Sequence, residues 1–108
     1  MPEAPVKALP VLRAATTTAD LIEAAALRDR TPNTYEITES TEANAVRGLN
    51  AARLLAEYMR SVGDDELQTG LTDLLGDLHH LSDAIGTDWD AAVDAAATHH
   101  QAEVAGED

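Results

Sequence analysis

The stretch that most limits how this chain can fold is residues 66–85, ELQTGLTDLLGDLHHLSDAI. Leu67, Leu71, Leu74, Leu75, Leu78, Leu81 and Ile85 recur at helical spacing and share one face. This is the strongest aliphatic stripe in the sequence, and it predicts a helix whose leucine row is hidden against other helices. One flank of the row carries Gly70, Asp73, Asp77, His80 and Ala84. Those small residues let a neighbour come close to two carboxylates and an imidazole. The far side, with Thr72, Gly76, His79 and Asp83, faces solvent on this reading.

The apolar residues elsewhere are mostly Leu and Ala, and only Tyr35, Tyr58 and Trp89 are aromatic. Such a set favours helices over strands. At 108 residues one domain is the natural count. A Leu/Ala core of that size is thin, so burial between subunits is favoured on energetic grounds and a homo-oligomer is expected.

Residues 1–16 carry Pro2, Pro5 and Pro10 and keep no period, which predicts a proline-containing, flexible and partly disordered N-terminal arm that Val6, Leu9, Val11 and Leu12 can dock. Residues 17–103 form the helical domain, and residues 104–108 an acidic tail. A first helix runs from Thr18 to about Arg30, with Thr17 to Asp20 supplying cap candidates. Tyr35 to Ser40 contains strand-favouring residues, but with no second strand to pair with it reads as a loop. Thr38 or Ser40 then caps a long helix ending near Val62. Gly63 and Gly86 are stop signals around the leucine helix. A last helix begins near Asp88, runs to about Ala102, and buries Trp89, Ala92, Val93 and Ala96. The predicted class is all-α, a small bundle of about four helices.

Charge is divided unevenly. The net charge is −13, yet all seven Lys/Arg lie at or before Arg60, and the twelve Asp/Glu after Val62 have no basic neighbour in sequence. That half is unsuited to direct contact with nucleic-acid phosphates. It suits a cation, a basic protein partner, mimicry of nucleic acid, or simple solubility. There is no cysteine, hence no disulfide or thiolate chemistry. No run is apolar enough for a membrane span or a signal-peptide core. A soluble cytoplasmic protein with no membrane contact is expected.

Three constellations could carry chemistry. Asp73, Asp77 and His80, spaced by four and three, lie on one strip and could hold a divalent cation; the commoner role of such a strip is a polar flank. His79-His80 and His99-His100 cannot chelate as pairs, since adjacent side chains point about 100° apart. His80 and His100 are expected to be partly buried, His79 and His99 exposed, with pH sensitivity the consequence if any of them matters. Glu36, Glu39 and Glu42 could face a Mg²⁺ ion, although acidic residues also favour helix N-termini for their own sake. No nucleophile elbow surrounds Ser40, Ser61 or Ser82, and no glycine loop cradles a phosphate.

The segment GLTDLLGDLHHLSDAIGTDWDAAV resembles the closing part of MazG-like nucleotide pyrophosphohydrolases. The resemblance implies an all-α, oligomeric, Mg²⁺-dependent hydrolase of nucleoside triphosphates. Glu39 and Glu42 would match its first acidic motif and Asp73 the aspartate of its second. Gly70 stands where the second motif has glutamate, and no basic residue follows Arg60, so the implied relative is degenerate. Asp77 would then substitute one turn later, and His80 would assist. The leading expectation is a non-catalytic protein that binds a protein partner or itself and needs no cofactor. The Mg²⁺-dependent hydrolase is the alternative.

Overall fold

The computed structural model describes residues 7–106. Among these, five α-helices and two short 3₁₀ turns make up an all-helical chain. They are α1 (Ala8–Ala14), α2 (Thr18–Ala26), α3 (Ser40–Val62), α4 (Leu67–Ile85) and α5 (Trp89–Ala105). The 3₁₀ turns, Leu27–Arg30 and Thr34–Glu36, lead from α2 into α3. No helix among the described residues is long and apolar enough to cross a membrane.

The starts of α2, α3 and α5 have local causes. Thr17 and Asp20 form a reciprocal capping box at α2. The Thr16 and Thr17 N–H groups donate to Asp20 Oδ2 at 2.9 and 3.2 Å and hold its carboxyl below the usual carboxylate value. At α3 the cap is Glu39, not Thr38 or Ser40: its carboxylate accepts from Thr41 N–H (3.0 Å) and Glu42 N–H (2.8 Å). At α5, Asp88 accepts from Ala91 N–H at 3.0 Å. Gly63 and Gly86 end α3 and α4 in the left-handed region, both at φ 81°, where a side chain would be strained.

A helix stands where the prolines suggested a loose arm. Pro10 is the third residue of α1, where a missing N–H costs no intrahelical bond. The α1 start is capped from a distance. Ala8 N–H donates to Glu42 Oε2 at 2.6 Å and Leu9 N–H to Oε1 at 3.1 Å. Ala8 itself is fully buried against Val46 and Leu49. Residues 1–6 of the expected arm, and 107 and 108 of the expected tail, lie outside the described residues.

The core lies between α1, α2 and α3. One cluster joins Ala8, Ala24, Val46 and Leu49, and a second joins Leu21, Ala25, Ala56 and Met59. Small alanines let α2 lie close along α3, and only Leu49, Met59 and Val46 are large side chains fully buried there.

Helix α4 joins this core by its small-residue flank. Gly70 sits directly over Met59: a Cβ on Gly70 would stand 2.5 Å from Met59 Cγ and 2.6 Å from its Sδ. The leucine row is correspondingly not hidden, contrary to the sequence expectation. Leu67, Leu74 and Leu78 are half-buried, while Leu71, Leu75, Leu81 and Ile85 are 43 to 64 % exposed. Nor does α5 bury the face expected of it. Trp89 is half-buried, but Ala92, Val93 and Ala96 are exposed, as is every residue from 90 to 101. The reason is that α4 and α5 meet only around their turn. There Ser82 Oγ and Thr87 Oγ1 lie 2.7 Å apart, and His79 stacks on Trp89 with centroids 4.5 Å apart.

The two glycines of α4 make a paired test. Gly76 has open space around it, so Gly76→Ala should stabilise by about 1 kcal/mol through helix propensity. Gly70→Ala carries the same propensity gain but must displace the buried Met59, and overpacking of about 1–3 kcal/mol should outweigh it. Urea denaturation of the two variants should therefore move in opposite directions.

Candidate functional site

Two features remain as candidates: an acidic seam where α4 crosses the end of α3, and an open apolar frame bounded by α3, α4 and α5.

The seam is built by the Gly70–Met59 approach, which brings the α4 flank over the last turns of α3. Tyr58 donates its hydroxyl to Asp77 Oδ2 at 2.6 Å. That bond, reinforced by partial burial and by the charges of Asp77, Asp73 and Asp64, pushes the phenol up to about 12. Asp64, in the α3–α4 loop, lies beside Asp73, which pushes its carboxyl above the usual value, with burial and Glu66 adding to the effect. Asp64 Oδ2 is buried and receives no hydrogen bond. Two carboxylates cannot bond to each other while both are charged, so a proton held between Asp64 and Asp73 is what would satisfy that oxygen. The same loop is tied to α2: Thr18 N–H donates to Asp65 Oδ1 (3.1 Å) and Thr18 Oγ1 to the Asp64 carbonyl (3.2 Å).

The frame is closed at its other corner by α5 returning to the start of α3. Asn44 Nδ2 donates to the Glu103 carbonyl at 3.0 Å, and Arg47 Nε pairs with Glu103 Oε2 at 2.6 Å. A polar cleft of about 420 Å³ lies beside this corner, lined by Tyr35, Ser40, Arg47 and Glu103 among others. Its one guanidinium is already engaged by Glu103 and by Asn44 Oδ1.

The structure separates the candidate metal ligands. Glu39 is occupied as the cap of α3, which holds its carboxyl below the usual value through Thr41 N–H and Glu42 N–H. Glu42 is occupied as the cap of α1. Asp73 and Asp77 lie on α4 near the far end of α3, where Asp77 meets Tyr58. Glu42 and Tyr58 are sixteen residues apart on one helix, or about 24 Å. The two pairs therefore do not converge on one ion, and among the described residues no three His, Asp or Glu side chains are grouped to hold a metal. The Mg²⁺ set implied by the family resemblance does not fit the placement of its residues. His80 and His100 are exposed, not partly buried, like His79 and His99, because α4 and α5 diverge beyond their turn.

Sequence reasoning missed Tyr58 and Asp64 as members of the seam. The helical line from Arg47 through Ala51 and Leu54 to Tyr58 could have flagged Tyr58; nothing local distinguishes Asp64 from a turn residue. No family model matches the chain, and no curated protein and no solved structure matches it significantly.

Two titrations follow. Because the folded phenol titrates above its ordinary value, the Tyr58–Asp77 bond stabilises the fold fully below pH 10.0 and is lost as pH rises toward about 12. In a Tyr35→Phe background, absorbance at alkaline pH should report that late titration, and Asp77→Asn should return it toward 10.0. Asp64 has the opposite consequence at neutral pH. Its raised value means the folded state binds the extra proton, so stability falls as pH climbs from 3.8 through the raised value. Asp64→Asn, which donates without charge, should be more stable than the parent at neutral pH, and the gap should close as pH falls to 3.8. Thermal melts across that range check it.

Proposed function

We propose that this chain is a non-catalytic protein-interaction or self-assembly module that docks through the open frame of α3, α4 and α5. The observation that carries the reading is the bare middle of that frame. Along α3, Arg47, Ala51, Leu54 and Tyr58 follow one another at spacings of four, three and four, so they lie on one line. Arg47 is fixed to α5 and Tyr58 to α4. Leu54, between them, therefore looks into the opening, and it is 54 % exposed. With the exposed leucines of α4 and Val93 of α5, this makes an apolar surface of a kind that monomers seldom leave to water.

The MazG-like alternative gains no support from the site. The ligands that the resemblance implies are engaged as helix caps or turned into the Tyr58 seam, and the chain after Arg60 offers no Lys or Arg to meet a triphosphate.

A photo-crosslinking amino acid placed at Leu75 tests the reading. It should yield a covalent protein adduct in cells, while the same label at Glu23, exposed on α2, should yield none. Pyrophosphate release from nucleoside triphosphates with Mg²⁺ or Mn²⁺ should stay at background. Substantial release, with no adduct at Leu75, would overturn the proposal in favour of the hydrolase.

A further inference from the structure

The helix α5 poses the sharpest physical problem in the molecule. Its apolar residues, Ala91, Ala92, Val93, Ala95, Ala96 and Ala97, are spread round the helix, a pattern that belongs to a helix covered on several sides. Yet all residues from 90 to 101 are exposed. The exposed stretch from 90 to 101 is twelve residues long, a length at which an unsupported helix in water is marginal.

The exposed surface is large for a chain of this mass. A folded monomer of 11.4 kDa exposes about 5,800 Å². Counted over all 108 residues, this chain exposes 7443 Å², an excess of about 1,700 Å². An ordinary stable interface takes about 800 Å² from each partner, so even half the excess suffices. The radius of gyration, 15.3 Å, also exceeds the roughly 13 Å of a compact chain of this length. The opening along α3 from Arg47 to Tyr58 spans eleven residues, about 16 Å, against a helix diameter of about 10 Å.

We propose that the occupant of the frame is a second copy of this chain, the α4–α5 arms of two protomers packing on each other about a two-fold axis, each entering the other's frame. This deepens the docking reading above and rests on it. A two-fold interface is self-complementary, so one contact fills both openings and covers both α5 helices. A single foreign helix would fill an opening but leave the outer side of α5 bare. The assembly also has an electrostatic signature. The arms carry aspartates, a glutamate and histidines but no Lys or Arg, so they meet with like charge. Screening by salt therefore tightens this dimer, whereas it would loosen the grip on a basic partner.

Sedimentation equilibrium on the purified full chain decides. The expected mass is twice 11.4 kDa, with a dissociation constant that falls as NaCl is added. Leu75→Glu on α4 and Val93→Glu on α5 should each weaken dimerisation by at least about tenfold. Because the chain lacks cysteine, Leu75→Cys offers a second readout that needs no destabilising change. A short bis-maleimide should link two copies through it, and should not link Ile22→Cys, whose site is exposed on α2. A monomeric mass at the highest soluble concentration, with and without salt, would overturn the second copy as occupant. The two failures are distinguishable: an adduct at Leu75 to a different protein in cells would leave the docking reading standing, and no adduct at all would remove both.

Discussion

The seating of Gly70 on Met59 fixes where the second half of the chain goes. Met59 is wholly buried and closes the end of the core between α2 and α3. Any side chain at position 70 would force Met59 or α4 itself to shift. The helix therefore comes down on its glycine-and-aspartate flank, Asp77 reaches Tyr58, and Asp73 is brought beside Asp64. The leucine row, the most hydrophobic surface in the chain, is rotated aside as a consequence. A close backbone approach has settled the orientation of α4, and it leaves Leu71, Leu75, Leu81 and Ile85 exposed.

That outcome explains how far the sequence could be read. Helix existence and most boundaries were legible, because they are written in local chemistry. The Thr17/Asp20 box, the αL glycines Gly63 and Gly86, and the Asp88 cap each act within a few residues. The identity of the α3 cap was not, since a glutamate reaching its own following N–H groups is an uncommon choice beside Thr38 and Ser40. Helix α1 was hidden by its prolines, and its stabilising partner, Glu42, is 34 residues away from Ala8. Periodicity told which face of α4 is apolar, but it is silent on what covers that face. The expectation that small residues on the flank would admit a neighbour was the part of the α4 reading that matched the packing.

The same distinction governs the candidate site. Carboxylates at helical spacing look alike whether they bind an ion, cap a helix or sit against a phenol. What separates these uses is where the nearest unsatisfied N–H or O–H lies, and that depends on tertiary contacts. Glu42 shows the point most clearly. On sequence it pairs with Glu39 as half of an acidic motif, yet in the fold it answers the orphan donors of a different helix. Asp77 likewise meets a hydroxyl from α3. Glu42, Asp77 and Glu103 are thus each employed in joining one helix to another.

The uneven charge then acquires a physical reading. The stretch of chain that contains the α1–α3 core also carries every Lys and Arg, and the arm that leaves the core carries none. An exposed apolar surface with mixed charge around it would adhere to many proteins. The fixed charges of the arm itself are all carboxylates, and they repel most of the acidic proteins it meets. Another copy of itself must also overcome that repulsion, so a loose or partial encounter gains too little apolar contact to persist. Only a mate whose shape covers the leucines and the α5 helix together gains enough. If two copies pair as proposed, like charge on the arm selects against poor fits, and specificity arises as the difference between a well-seated contact and all others.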